Sequence, residues 1–424
     1  MQKLIVHLTY KVLAFDFREA YEYSFWNLYE KYDIQHVVLY EDIEEEQSWI
    51  REDLGIFRMS YQKDSLTDRV WELHQKYDVV YMNTFTEQFI TQLQILRKEF
   101  GHAHTPDLDI FNNKTLQRAK IREHAPEYSL QFFELELWNF DIDTIESQIS
   151  YPFIVKPTFW WSSSGVVKIQ QRSDLELYKK NVHHLCANLK KRGYDSFRFL
   201  FEQLLEWDMF VIDYFVDSAG NISQAQPVST RLLKDIYDID DMWLWVERLG
   251  PDIEEKLADQ DIDRFIQKHV DACTVRNTFI HHEFFLTKDG LRTIEMNGRI
   301  GWARIDMYRG TYGVNLMELC VSDDIVFENG KYYLRMFIFP DHDNTKPFVG
   351  LKESFIETFQ KMPGFYKFSL NSQKLGKSAG FSISGYWYVG NIHFVHEDKD
   401  VIHEAFLYIK KHLHASMLYD ENGL

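Results

Sequence analysis

The stretch Phe279-Ile-His-His-Glu283-Phe-Phe-Leu-Thr-Lys-Asp-Gly290-Leu-Arg-Thr-Ile-Glu295-Met-Asn297-Gly-Arg299 has the pattern of a β-hairpin. Lys288-Asp289-Gly290 suits a three-residue loop with glycine in the left-handed position, and mostly alternating apolar residues flank it. Such a loop sets Thr287 against Leu291, and counting back along both arms brings Glu283 opposite Glu295. Period-two alternation puts Ile280, Phe284, Leu286, Ile294 and Met296 on one face, and Glu283, Glu295 and Asn297 on the other.

Two carboxylates directly opposite on a strand pair repel, by up to ~1 kcal/mol on a wet face and more when shielded. Something must compensate. Oxygen ligands at this spacing suit Mg²⁺, which takes one or two carboxylates and leaves positions for phosphate and water. Arg299, just beyond, could reach the same phosphates as a planar donor. The other reading is a solvated polar sheet face neutralised by Lys or Arg. The hairpin alone leaves both open.

A chain of 424 residues suits two to four packed units. Strands at 4–8, 36–40 and 78–82 alternate with helices near 18–32, 65–77 and 86–100, which predicts a small parallel α/β domain over 1–105. It lacks G-x-G-x-x-G. After His104-Thr105-Pro106 the spacing changes. A connecting helix over 112–124 leads to strands at 151–156, 165–170 and 197–202, which gives a second unit over 106–206. Hairpins around Asp217–Asn221 and at 278–297 define a third over 207–330, and strands near 332–339, 381–388 and 391–395 a fourth over 331–424.

The formal charge of −18 repels bulk nucleic acid, and no run of ~20 apolar residues exists to span a membrane. The three cysteines are too scattered for a disulfide framework, which suits reduced thiols in the cytoplasm. There is no G-x-x-x-x-G-K-[ST], no H-E-x-x-H and no G-x-S-x-G.

Five pieces in sequence resemble the ATP-grasp superfamily, over roughly residues 105–322. They are Asn113-Lys114 opening a helix, the strand Tyr151-Pro-Phe-Ile-Val-Lys156-Pro157, the small-residue loop Ser162-Ser163-Ser164-Gly165-Val166, the stretch Phe201-Glu202-Gln203-Leu204-Leu205-Glu206-Trp207-Asp208, and the hairpin. The likeness is nearest to carboxylate–amine ligases such as the L-amino acid ligases and the carbamoyl phosphate synthetase large subunit. Trp160 and Trp161 stand where the family usually has glycines, and Trp207 replaces another.

The resemblance implies an α/β chain with α+β nucleotide-binding lobes. A Rossmann-like N-terminal domain would precede a two-lobed ATP-grasp fold, and a small C-terminal α/β subdomain would follow. It implies ATP with Mg²⁺, or Mn²⁺ in its place. Lys114 and Lys156 would contact phosphates, Ser163, Ser164 and Gly165 would close over them, and Glu202 would lead into the hinge Gln203–Leu205 that reads adenine. Asp208 would hold the ribose, Glu283, Glu295 and Asn297 the metal, and Arg299 the phosphate side. Arg231, at a strand end, would hold the carboxylate substrate, unless it pairs at the surface with Asp235 or Asp238. The implied activity is a ligase that makes an acyl phosphate and passes it to an amine. A carboxylase, a thiol ligase and a non-catalytic ATP-binding regulator stay open beside it. The partners are small molecules, with no nucleic acid and no membrane, and the chain could act as a homodimer.

Overall fold

In the computed structural model the first hundred residues alternate strand and helix. The structure describes residues 1–9, 19–41, 48–62, 65–136, 140–159, 166–191, 197–205, 208–224, 228–232, 245–301, 304–327, 330–340, 346–371, 374–378 and 388–420. Strands β1 (Lys3–Thr9), β2 (Ile34–Glu41), β3 (Ser48–Arg51), β4 (Ile56–Tyr61) and β5 (Asp78–Thr84) form one sheet in the order β3-β4-β2-β1-β5. Pairing is parallel except for β3, and β3 and β4 had no counterpart in the sequence reading. Helices α1 (Glu19–Tyr32), α2 (Leu66–Lys76) and α3 (Ile90–Glu99) connect the strands.

Helix α4 (Lys114–His124) crosses to a second sheet. That sheet holds β6 (Phe132–Glu136), β7 (Phe153–Pro157), β8 (Val167–Ile169) and β9 (Arg198–Gln203), ordered β6-β9-β7-β8, with α5 (Ile142–Gln148) and α6 (Arg172–Lys191). It has its own core around Phe153, Phe199 and Phe201.

The large sheet follows. Its strands are β10 (Asp208–Val216), β11 (Ile222–Gln224), β12 (Val228–Leu232), β13 (Trp245–Leu249), β14 (Thr278–Thr287), β15 (Gly290–Asn297) and β16 (Tyr332–Ile338), joined further on by β18 (Phe365–Leu370) and β20 (Gly390–His396). Helices α7 (Pro251–Leu257), α8 (Ile262–Cys273) and α9 (Arg304–Tyr312) lie between these strands in sequence, as α10 (Glu353–Gln360) and α11 (Lys399–His412) do later. A three-stranded sheet of β17 (Pro347–Leu351), β19 (Lys377–Ser378) and β21 (Met417–Tyr419) completes the chain. The order β15-β14-β10-β12-β13-β16-β20-β18 is unbroken, so a division at residue 330 cuts through one sheet. The strand expected at 381–388 falls almost wholly outside the described residues.

The hairpin differs from its expected register in one respect that matters. Gly290 has φ +93°, as the turn demands, but Thr287 pairs with Gly290 and Leu286 with Leu291, one residue nearer the turn than expected. A bulge at Ile294 then restores the count, so Glu283 does face Glu295. Leu291 and Met296 both enter the core under α8, although five residues separate them. Ile294, expected on the apolar face, is the extra residue and is not part of that core. A bulge is the usual way for a strand to change which parity faces inward.

The bulge leaves backbone polar groups on an edge strand, and α4 satisfies them. The Gln117 amide donates to Met296 O and accepts from Met296 N, both at 2.9 Å. Arg118 donates to Ile294 O through Nη2 and to Glu202 Oε2 through Nε at 2.7 Å. Lys114 N donates to Thr158 O, and the Asn113 side chain caps the helix by accepting from Leu116 N. The helix thus touches both nucleotide-binding lobes of the expected fold at once.

Several histidines are buried without charge partners. Burial pushes His36 down to about 3, and burial lowers His269 to about 4, with a small opposing contribution from Phe265 O. The unfolded chain protonates these rings near pH 6.5, before the folded chain does. Their contribution is therefore whole above pH 6.5 and is lost as pH falls towards 4, by up to about 1.4 kcal/mol per histidine per pH unit. The melting temperature should hold between pH 7.5 and pH 6.5 and fall from there to pH 5, and a flat melting temperature below pH 6.5 would contradict this account.

Arg118 and Lys156 share the buried Glu202, so removing that carboxylate strands two charges. Glu202→Gln should cost about 3–5 kcal/mol in urea unfolding, and adding Arg118→Leu should recover part of the loss. Wild-type unfolding in the single variant would rule out the α4 tie.

Candidate active site

The strand alternation that buries Phe210, Ile212, Ile280 and Phe284 turns Asp213, His281 and Glu283 to the opposite face. Glu295 and Asn297 join them after the bulge. The Glu283 and Glu295 side chains are partly exposed there, at 23% and 18%. Asn297 is 5% exposed, and its side-chain amide has no hydrogen-bond partner among the described residues. A buried, unsatisfied amide beside two facing carboxylates fits the donor set of a hard cation that also takes phosphate and water. Among the described residues no group of three or more His, Cys, Asp or Glu side chains stands at metal-holding spacing.

Each expected phosphate-binding cation meets a carboxylate. Lys114 Nζ lies 2.9 Å from Glu295 Oε1. Lys156 Nζ lies 2.7 Å from Glu202 Oε1, and Arg118 grips the other oxygen. Arg299 pairs with Glu87, from the 3-10 turn Glu87–Phe89 that follows β5. Burial alone would raise the Glu202 pKa, but Arg118 and Lys156 hold it down to about 2. Burial likewise works against the Glu295 carboxylate, and Lys114 and Lys156 bring its pKa below the ordinary value. Lys156, Arg118 and Glu202 together carry two positive charges and one negative in a buried setting. Arg118 Nη1 has no hydrogen-bond partner among the described residues.

Behind the hairpin the large sheet is braced by buried charges. Asp213 Oδ1 accepts from Gly301 N at 2.7 Å and lies 3.0 Å from His281 Nδ1. His281 Nε2 is 3.5 Å from Glu283 Oε1. Arg304 lies 3.3 Å from Asp213 and 3.1 Å from Glu247, and Arg335 donates to Glu247 at 2.8 Å and to Asn391 at 3.1 Å. Arg304 Nε has no well-aligned hydrogen bond, so its tie to Asp213 is a charge contact.

A cavity of about 270 Å³ opens over the hairpin. Lys114, Glu295 and Asn297 line it, together with Glu87, Gln88 and Thr91 of the N-terminal domain. Asp109, Phe111, Asn112 and Phe159 complete it.

The remaining expected residues are placed as follows. Gln203, Leu204 and Leu205 follow β9, with Gln203 N donating to Gln131 O at 3.0 Å. Asp208 opens β10, is exposed, and lies 3.0 Å from Lys256 Nζ. Arg231 pairs with Val246 in the sheet, but its side chain lies outside the described residues. Ser163, Ser164, Gly165, Trp160 and Trp161 also lie outside them. Arg118 and Glu87 were missed in the sequence. Arg118 stands four residues after Lys114, one helical turn on the same face, which is a signal the sequence carried. Glu87 reaches Arg299 across 212 residues, and no local pattern could give that.

The geometry agrees with what comparison finds. Residues 149–305 match the family model of the ATP-grasp domain. No curated protein matches the chain in sequence. Solved structures do match over almost its whole length. The L-amino acid ligase of Bacillus licheniformis is 16% identical with TM-score 0.73, covering 99% of this chain and 98% of that one. The N5-carboxyaminoimidazole ribonucleotide synthetase of Thermotoga maritima is 15% identical with TM-score 0.61, covering 97% and 98%. The biotin carboxylase domain of the Hydrogenobacter thermophilus 2-oxoglutarate carboxylase is 15% identical with TM-score 0.59, also covering 97% and 98%. Residues 149–305 thus match the ATP-grasp domain model, and almost the whole chain shares the fold of these solved ligase, synthetase and carboxylase structures.

Proposed function

We propose that this chain is an ATP- and Mg²⁺-dependent ligase that activates a carboxylate as an acyl phosphate and couples it to an amine, with release of ADP and phosphate. The observation that carries the reading is two opposed elements side by side, linked by Arg118, which donates to both Ile294 O and Glu202. Facing carboxylates with a partnerless buried amide lie on one strand pair, and the buried Lys156–Glu202–Arg118 group with its net positive charge lies close by. Nucleotide phosphates with a hard cation satisfy both. The solved relative from Hydrogenobacter thermophilus is described with MgADP, ADP and bicarbonate, which supports the nucleotide and the metal.

Glu283, Glu295 and Asn297 would hold Mg²⁺, which when bound supplies positive charge to the β- and γ-phosphates. Lys114, Lys156 and Arg299 would exchange their carboxylate partners for phosphate oxygens and spread the charge of the transferring group. The hinge Gln203–Leu205 would read adenine, Asp208 would hold ribose, and Ser163, Ser164 and Gly165 would close over the phosphates. Arg231 would hold the carboxylate. A carboxylate oxygen forms a bond to the γ-phosphorus as the β–γ bridge breaks and ADP leaves. The amine nitrogen then bonds to the acyl carbon, the C–O bond to phosphate breaks, and the nitrogen loses its extra proton. Burial of Asn297, Arg299 and Lys156 keeps water scarce around the intermediate.

The test is phosphate release from ATP over a panel of carboxylates and amines. Glu295→Gln should abolish turnover, about 100-fold or more, while circular dichroism stays that of the wild type. A folded Glu295→Gln chain with wild-type turnover would end the metal assignment. Lys156→Ala should weaken binding of ATP about tenfold or more by calorimetry, a loss of ~1.4 kcal/mol. Lys168→Ala, on the neighbouring strand β8, should change it by less than about twofold. Equal small effects would remove Lys156 from the nucleotide site.

A further inference from the structure

We propose that Arg97 and Gln94 form a buried site for a small inorganic anion of the size of chloride, at the seam between the N-terminal domain and the large sheet. The site shares no residue with the proposed nucleotide and metal site and does not depend on the ligase reading.

Arg97, in the last turn of α3, is fully buried. Two other arginines are as deeply buried, and both have carboxylates: Arg118 has Glu202, and Arg304 has Asp213 and Glu247. Arg97 has no carboxylate partner among the described residues. Its Nη2 donates to Met82 O on β5, and the guanidinium lies over the Tyr81 ring, 4.9 Å from its centre. Its Nε and Nη1 have no hydrogen-bond partner among the described residues. Gln94, one turn earlier on the same face of α3, is also fully buried. Its Oε1 accepts from Thr105 N at 3.0 Å, and its Nε2 likewise has no partner among the described residues. Long helical side chains lean towards the helix N-terminus, which lays Arg97 back over the turn of Gln94.

No neighbouring group supplies the counter-charge. Tyr81 and Cys320 lie near enough to feel the charge of Arg97. Burial pushes the Tyr81 phenol and the Cys320 thiol both up to about 12, so both stay neutral. One carbonyl and one ring face offset only part of the cost of burying a guanidinium. Water would satisfy the N–H groups and leave the charge unbalanced. A monovalent anion meets both demands, and the closed surroundings of Arg97 and Gln94 favour a compact one. The place also gives the ion a role. Tyr81 packs edge-on against Phe215 of β10 at 5.5 Å and Phe279 of β14 at 6.1 Å, so an anion fixing Arg97 against Tyr81 braces the N-terminal domain on the large sheet.

Thermal melting of the whole chain tests this, at constant ionic strength. Sodium gluconate, whose anion is too large for the site, is replaced stepwise by sodium chloride. The wild-type melting temperature should rise with chloride, by about 1–2 °C for each tenfold increase beyond half-saturation. Arg97→Met, which keeps an unbranched stem and removes the charge, should abolish that dependence, and Gln94→Leu should weaken it. Wild-type crystals grown with bromide should show an anomalous peak beside Arg97 Nε and Nη1. A wild type without the bromide peak overturns the proposal, water alone then meeting these donors. So does a wild-type melting temperature indifferent to chloride, or a folded Arg97→Met chain that keeps the wild-type dependence. If Arg97→Met does not fold, the bromide peak and the wild-type titration decide.

Discussion

One extra residue, Ile294, decides which way Glu295 points. Leu291 must enter the core under α8, and without a bulge every second residue after it would follow, Glu295 among them. The bulge flips the parity, so Met296 takes the core position and Glu295 turns to face Glu283. The flip leaves unpaired backbone at an edge strand. Gln117 and Arg118 of α4 supply the missing partners, and Lys114 of the same helix neutralises Glu295. The paired acids and the connecting helix are therefore one device, and neither is stable as drawn without the other.

The same helix explains why the cationic residues can be buried at all. An isolated buried lysine would lose its charge. Here Lys156 and Arg118 share Glu202, and Arg299 has Glu87. A phosphate ligand entering this site does not fill a vacancy in charge but replaces one set of partners with another. That makes binding an exchange, in which the desolvation cost has already been met during folding. Within a chain of net charge −18 the local count at Lys156, Arg118 and Glu202 is positive.

The facing of Glu283 and Glu295 was legible because hairpin turn chemistry and alternation are local. The bulge was not, and neither was the two-residue loop that pairs Thr287 with Gly290. Two errors of one residue cancelled at the site and not at Ile294, whose apolar character suited either face. The parallel N-terminal sheet was legible from strand–helix spacing, while β3 and β4 were not, their residues being too mixed in character to stand out. Strands β16 and β20 read as a separate unit because sequence shows where strands are and not which sheet they join, and β18 had no counterpart in the sequence reading. Arg118 was hidden by its helix, where an arginine ordinarily faces water. The Lys-Pro strand end and Glu202 were recognised by resemblance, and the structure adds that Lys156 and Glu202 pair with each other.

The braces are distributed unequally between the two sides of the site. On the large sheet, Asp213, His281, Arg304, Glu247 and Arg335 tie β10, β13, β14, β16 and α9 together through buried charge contacts. The N-terminal domain is bolted to the same body, with Asn315 donating to Ser24 O at 2.9 Å and Lys31 lying 2.5 Å from Glu318. The sheet of β6 to β9 has its own core and shares no strand pairing with the large one. Its polar ties to the rest converge on the N-terminal half of α4, at Lys114, Thr115 and Arg118. The helix that ties the two sheets together is thus also the one that holds β15, through Lys114 on Glu295 and Arg118 on Ile294 O.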